Sequence, residues 1–189
     1  MKSKIKQKNK IDYNKKFVIE ELFADPKIVD MHEKRLKSLL TNETSNEEIQ
    51  KRINSLVIKE NAFNTIMEYV SNNFTYSIDE DELKTVSTRF AKQFSMDLVK
   101  DKDRIKVISE KIIIKSLIFK EIAKEQKISV SDAEGKEYLE KYYKETNRPI
   151  NELLKSEEKF NEIKEIILEE KITEFLLKSF KIEFNLEKK

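Results

Sequence analysis

The sequence contains no cysteine, and its 189 residues include one glycine and two prolines. Without cysteine, neither a disulfide framework nor a thiolate metal site can form, and we expect a protein of the reducing cytoplasm. One glycine cannot build a glycine-rich phosphate-binding loop. The scarcity of glycine and proline also argues against the tight turns that an all-β fold requires.

Side chains suited to catalysis are equally scarce. His32 is the only histidine, which excludes zinc motifs built from two histidines. Carboxylate pairs such as Glu157-Glu158 are common, but in a glutamate-rich chain they are typical of solvated helix faces and first helical turns. We therefore predict no enzyme, and no catalytic residue, metal site, cofactor or small-molecule substrate. No apolar run reaches about 18 residues, so we expect no transmembrane segment.

The residues that dominate the composition are lysine, glutamate and isoleucine. Hydrophobic residues make up 38% of the chain and charged residues 39%. This balance is typical of long amphipathic helices whose outer faces are solvated. The 38 basic and 36 acidic residues leave a formal net charge of +2, which does not indicate a nucleic-acid-binding protein.

The most apolar stretch runs from Arg104 to Gln126 and contains ten large apolar residues but no glycine or proline. Its length favours a helix, because strands rarely exceed about ten residues. On a helix these side chains lie almost all round the axis, so the helix must be covered on several sides. Either other helices of the chain or a bound partner supplies this cover.

Three Ser-x-x-Glu sequences predict capping boxes at the starts of helices. They are Ser45 with Glu48, Ser77 with Glu80, and Ser131 with Glu134. Together with the helical spacing of apolar residues, they predict six or seven helices joined by short polar connections. Gly135 lies inside one of these helices, where glycine costs about 1 kcal/mol relative to alanine. Close packing is the only reason for it that the sequence suggests.

We therefore predict an all-α fold: an elongated multi-helix domain with helical arms, and no sheet beyond a short pairing of the termini. Residues 1–16 are basic and are expected to form a disordered tail. Residues 17–189 are expected to form a single helical domain, with N-terminal helices in residues 17–75. Contact of the tail with nucleic acid, the ribosome or a membrane surface is the alternative, although the tail lacks interleaved aromatic residues and an apolar face.

Three predicted helices carry more apolar residues than one packing face needs. In a compact bundle the excess forms the core, but in an elongated molecule it leaves apolar grooves. Exposed apolar patches on soluble proteins usually mark binding sites, and methionine side chains repack easily around varied partners. The candidate binding residues are Phe90, Phe94, Met96, Ile113, Ile114, Leu117 and Ile118.

The second half of the chain resembles the C-terminal, substrate-binding domain of the bacterial chaperone trigger factor. The helix predicted for the stretch from Arg104 to Gln126 ends in L-I-x-x-E-I-A-x-E-x-x-I. The sequence V-S-D-x-E opens the next helix, and a turn precedes Ile150-Asn151-Glu152-Leu153. The resemblance covers about residues 76–180. SurA-type chaperones contain a similar helical module, and the whole chain resembles the short stand-alone trigger-factor-like proteins of wall-less bacteria.

The resemblance implies an ATP-independent holdase that binds unfolded or nascent polypeptides in apolar clefts between helices. It does not extend to the ribosome-binding Gly-Phe-Arg-x-Gly loop or to the glycine-rich prolyl isomerase domain, both of which this sequence lacks. Ribosome docking and isomerase activity are therefore not expected. The alternative is a structural or adaptor protein that binds one folded partner through its apolar helix faces, and the oligomeric state is left open.

Overall fold

The computed structural model describes residues 2–39, 45–146 and 149–186. In these ranges the chain is predominantly helical, as predicted, and two small sheets accompany the helices. The elements are β1 (Lys4–Lys8), β2 (Lys16–Ile19), α1 (Pro26–Leu39), α2 (Asn46–Ser71), β3 (Phe74–Ser77), α3 (Glu80–Gln93), α4 (Lys102–Gln126), α5 (Asp132–Thr146), α6 (Asn151–Lys155), α7 (Glu157–Ser179) and β4 (Lys181–Phe184). No helix in the described ranges is long and apolar enough to cross a membrane.

The chain forms two compact units, and each is built from two separate stretches of sequence. Unit 1 comprises Met1–Asp12 and Met67–Ile128, and unit 2 comprises Tyr13–Ile66 and Ser129–Lys189. This division differs from the single helical domain that we predicted for residues 17–189. One boundary lies within α2 and another follows α4 directly, at places where the composition of the sequence does not change.

The N-terminal residues of unit 1 include a strand where we predicted a disordered tail. Strand β1 pairs with β3 in antiparallel orientation, with Lys4 opposite Ser77 and Lys8 opposite Phe74. The predicted disorder is therefore wrong for this segment. In a strand the backbone groups are hydrogen-bonded to a neighbouring strand while charged side chains point to solvent, so a lysine-rich segment can be ordered.

The first residues of the chain are also fixed to the start of α3. The backbone N–H groups of Lys2 and Ser3 donate to Oε2 of Glu82 at 2.9 and 2.8 Å. The N–H of Asp79 donates to the hydroxyl of Ser3 at 2.9 Å. Burial raises the pKa of Glu82, but the hydrogen bonds from Ser3 and Lys2 outweigh this effect and hold the pKa below its usual value.

Two of the three predicted caps form at the expected serines. The amides of Glu48 and Glu134 donate to the hydroxyls of Ser45 and Ser131, and Glu134 also accepts the N–H of Ser131 at 2.8 Å. Ser131 and Glu134 thus form the reciprocal capping box.

The predicted cap at Ser77 is wrong. Ser77 is the last residue of β3, and Asp79 caps α3 instead by accepting the N–H of Glu82 at 3.0 Å. Aspartate and serine cap helices about equally well, so the pairing of β3 with β1 decides which residue starts the helix.

The core of unit 1 centres on α4, against which α3 packs. The buried residues of α4 are Ile105, Ser109, Ile113, Leu117, Ile118, Phe119 and Ile122. Three of them, at 117–119, are consecutive and therefore point in different directions around the axis. The C-terminal half of α4 is thus covered on more than one side, as its apolar pattern predicts.

In unit 2, β2 and β4 form a parallel pair, which agrees with the predicted short pairing of the termini. The prediction of no further sheet is wrong, because β1 also pairs with β3, which lies in the interior of the sequence. Aromatic rings pack beside this pair: the ring centroid of Phe180 lies 5.4 Å from that of Tyr13 and 5.6 Å from that of Phe17. Helices α5 and α6 pack against α7. The ammonium group of Lys171 in α7 contacts Glu134 and donates to the carbonyl of Ser129, which ties α7 to the start of α5.

Candidate functional site

The turn between α3 and α4 is held in one conformation by aspartate side chains. Oδ1 of Asp97 accepts the backbone N–H groups of Val99 and Lys100 at 2.8 and 3.0 Å. The N–H of Asp97 in turn donates to Oδ2 of Asp101 at 3.1 Å. The hydrogen bonds from the backbone N–H groups of Lys100 and Val99 lower the pKa of Asp97, because they stabilise its ionised carboxylate.

Although its backbone is fixed, this turn exposes large apolar side chains to solvent. Phe94 is 52% exposed, Leu98 49% and Val99 83%. Met96 lies between them and is half-buried. We call residues 94–99 the apolar turn. Three large exposed apolar residues thus lie within six positions of the chain, whereas exposed apolar residues on protein surfaces usually occur singly.

Four of the seven candidate residues predicted from the sequence keep part of their surface accessible. Phe94 and Met96 belong to the apolar turn. Phe90 is half-buried on α3, with its ring centroid 4.7 Å from that of Phe94. Ile114 is half-buried on α4. The structure therefore brings the rings of Phe90 and Phe94 together and places Met96 in the same turn as Phe94, whereas Ile114 belongs to α4.

The other three candidates are wrong as surface residues. Ile113, Leu117 and Ile118 belong to the buried core of α4. A buried side chain cannot contact a partner unless the unit opens, so we remove these three from the candidate surface. Because α4 is apolar nearly all round, its sequence does not distinguish the covered sides from the accessible one.

Sequence reasoning also missed Leu98 and Val99. Both lie in a connection between two helices, and the sequence predicts such connections to be polar. The available signal was the occurrence of apolar residues between Asp97 and Asp101, where a solvated turn would normally be polar. Apolar residues in a turn that no helix covers are candidates for contact with a partner.

A groove lies in the same unit, between α3 and the start of α4. Its floor is formed by Leu83 of α3, Leu98 of the apolar turn and Ile105 of α4. It encloses about 230 Å³. We call it the α3–α4 groove. Since Leu98 belongs to both features, the groove and the apolar turn form one continuous surface.

Known proteins resemble this chain both in part and over its whole length. Residues 100–178 match the family described as bacterial trigger factor protein (TF) C-terminus. The chain is 32% identical over 188 residues to the uncharacterized protein MG377 of Mycoplasma genitalium, a match that covers 98% of this chain and 95% of that protein. The MG377 homolog of Mycoplasma pneumoniae is 30% identical over 186 residues, with the same coverage.

The fold has also been seen in a crystal structure, that of the hypothetical Mycoplasma protein MPN555. The two structures align with a TM-score of 0.85 and 29% sequence identity, over 100% of this chain and 94% of that one. The predicted resemblance to the C-terminal domain of trigger factor is confirmed for residues 100–178. The matched region begins directly after the apolar turn and contains α4, α5, α6 and all but the last residue of α7.

Proposed function

This chain belongs to the family of the Mycoplasma protein MG377 and carries a trigger factor C-terminal-like domain, and we propose that it is an ATP-independent molecular chaperone. It holds unfolded or nascent polypeptides by their apolar segments and releases them without nucleotide hydrolysis. This function needs no catalytic residue and no cofactor. It is exerted in the cytoplasm, where nascent chains are found.

The apolar turn is the observation that carries the proposal. Phe94, Leu98 and Val99 are exposed, although Asp97 accepts the backbone N–H groups of Val99 and Lys100 and Phe94 donates its own N–H to the carbonyl of Phe90. A fixed backbone lowers the entropy that is lost when a partner binds, because these side chains are already presented. Exposed apolar side chains also carry an aggregation risk, which a soluble protein tolerates where they serve a purpose.

The expected strength of binding suits a chaperone that works without nucleotide. Burying one large apolar side chain contributes about 1.5–3 kcal/mol. Three such contacts would contribute roughly 5–9 kcal/mol before the cost of ordering the client is subtracted. What remains corresponds to dissociation constants of about micromolar or weaker. Clients would therefore leave on their own once the free concentration of unfolded chain falls.

The test is an aggregation assay without ATP. A denatured enzyme is diluted into buffer with increasing amounts of the protein, and light scattering follows its aggregation. We expect the wild type to suppress aggregation of several unrelated clients. The variant Phe94→Ser/Leu98→Ser/Val99→Ser should lose most of this suppression while its melting temperature stays close to that of the wild type.

A matched control comes from unit 2, where Phe23 is also exposed. Its backbone is fixed by Asn61, whose side-chain amide accepts the N–H of Phe23 and donates to its carbonyl, both at 2.8 Å. The variant Phe23→Ser should suppress aggregation like the wild type. Absence of suppression by the wild type would overturn the chaperone proposal and favour the adaptor that binds one folded partner. Equal losses in both variants would instead contradict the location of the site.

A further inference from the structure

We propose that the α3–α4 groove selects polypeptide segments in which an apolar residue is flanked by acidic residues. The inference rests on the proposed function, because it names the chemistry of the client that the apolar surface of unit 1 binds. The groove differs from the apolar turn in being lined by lysines, which the apolar turn does not contain. The occupant is a peptide segment of another chain.

The shape of the groove fits side chains rather than a small molecule. Its volume of about 230 Å³ lies below the range of about 300–1,000 Å³ that is typical of small-molecule pockets. Leu83, Leu98 and Ile105 give the groove an apolar floor, and Ser87 adds one uncharged polar side chain to its lining. Such a floor is suited to the aliphatic or aromatic side chain of a peptide.

The charges around this floor are mostly positive. Lys84 of α3 and Lys102 and Lys106 of α4 line the groove, together with the single carboxylate of Glu80. Nζ of Lys106 lies 3.9 Å from Oε1 of Glu110 on the same helix, which is close to the distance limit for an ion pair. An acidic residue beside the apolar side chain of a client would find several ammonium groups within reach.

Among the described residues, the ammonium groups of Lys84 and Lys102 form no ion pair. Binding an acidic residue would therefore not require an existing ion pair to break. Lys84 belongs to α3 and Lys102 to α4, so the two lysines reach the groove from different helices.

Nucleic acid fits the same lysines less well. Its binding grooves usually combine positive charge with aromatic side chains on which bases stack, and the lining of this groove contains no aromatic residue. Glu80 would also repel a phosphate backbone that follows the groove. A peptide can place its acidic residues beside the lysines and leave the region of Glu80 uncharged.

The experiment measures peptide binding to the full-length protein by fluorescence anisotropy at low salt. Three labelled peptides are compared: one with leucines flanked by aspartate and glutamate, one with the same leucines flanked by lysine, and one acidic peptide with serine in place of leucine. We expect the acidic peptide with leucines to bind about fivefold tighter than its basic counterpart, as two exposed ion pairs would give. Added salt should reduce this preference.

The variant Lys84→Glu/Lys102→Glu should lose the preference. The matched control is Lys51→Glu/Lys141→Glu, which changes two exposed lysines outside the groove and shifts the net charge by the same amount. The control should bind the three peptides like the wild type. Circular dichroism and the melting temperature of each variant show whether it has the wild-type fold, and the single variant Lys84→Gln repeats the test if the double variant unfolds.

Several results would overturn the inference. The preference could persist in Lys84→Glu/Lys102→Glu, the serine peptide could bind as tightly as the leucine peptide, or single-stranded RNA could compete as well as the acidic peptide. Each result would show that the groove does not select peptides in which an apolar residue is flanked by acidic residues. A wild type that suppresses aggregation but shows no preference would contradict the groove alone. A wild type that binds the acidic peptide without suppressing aggregation would contradict the chaperone function alone.

Discussion

Gly135 of α5 lies directly against the aromatic ring of Phe160 in α7. A Cβ atom at position 135 would lie 2.8 Å from Cζ and 3.1 Å from Cε2 of that ring. Real Cβ atoms essentially never lie within 3.0 Å of another heavy atom, so any side chain at position 135 would force the ring of Phe160 to shift. Glycine has a low helix propensity, which destabilises α5 at this position. Because glycine has no side chain, however, Phe160 can pack directly onto the backbone of α5.

This contact predicts the effect of adding one methyl group. Gly135→Ala should lower the free energy of unfolding by about 1–3 kcal/mol, because overpacking outweighs the gain in helix propensity. In the background Phe160→Leu, where the ring is gone, the same change should be neutral or stabilising. Thermal or urea unfolding of the four proteins in this double-mutant cycle checks the prediction. Stabilisation of the wild type by Gly135→Ala would contradict it.

The helices could be predicted from the sequence because their determinants are local. Ser131 and Glu134 lie three residues apart, and their reciprocal hydrogen bonds form as the spacing predicts. The pairing of Lys4 with Ser77 joins segments that are far apart in the sequence, so no local sequence pattern predicts it. A basic segment with few apolar residues then looks the same whether it is a paired strand or a disordered tail.

The candidate site was predictable only in part for a related reason. Ile113 and Ile114 are identical neighbours in an apolar helix, yet the first is buried and the second is half-exposed. Their difference in burial depends on which elements pack on each side of α4. The spacing of apolar residues along the helix carries no information about these neighbours. Phe94 was easier to place, because it ends the short amphipathic helix α3 and has fewer neighbours to cover it.

The paired N-terminal strand predicts that its removal will destabilise unit 1. Deleting residues 2–8 removes the β1–β3 pairing, the two hydrogen bonds to Glu82, and the contacts of Lys8 with Glu121 and Glu125. We expect the free energy of unfolding to fall by more than about 2 kcal/mol. Hydrogen exchange should show faster exchange in Phe74–Ser77. An unchanged melting temperature would mean that these residues behave as the free tail that their composition suggests.

The contact between Glu134 and Lys171 predicts a dependence of stability on acid. The hydrogen bond from Lys171, followed by those from Ser131, lowers the pKa of Glu134 to about 2. A lowered pKa in the folded state gives stability that is present above the usual carboxyl pKa of 4.5 and is lost as the pH falls towards 2. Glu134→Gln should therefore flatten the fall of the melting temperature in this range. The matched control is Glu137→Gln, an exposed residue of the same helix, which should follow the wild type.

The last prediction separates the core of unit 1 from its accessible surface. Ile118→Asp places a carboxylate at a fully buried position, and burying an unpaired charge costs several kcal/mol, so unit 1 should unfold. Phe94→Asp places the same charge at an exposed position and should change the free energy of unfolding by less than about 1 kcal/mol.

Of these two variants, only Phe94→Asp should be a folded protein with reduced suppression of aggregation. Circular dichroism, thermal unfolding and the light-scattering assay together test both halves of the prediction. A folded Ile118→Asp protein, or an unfolded Phe94→Asp protein, would contradict the assignment of α4 to the core and of the apolar turn to the client-binding surface.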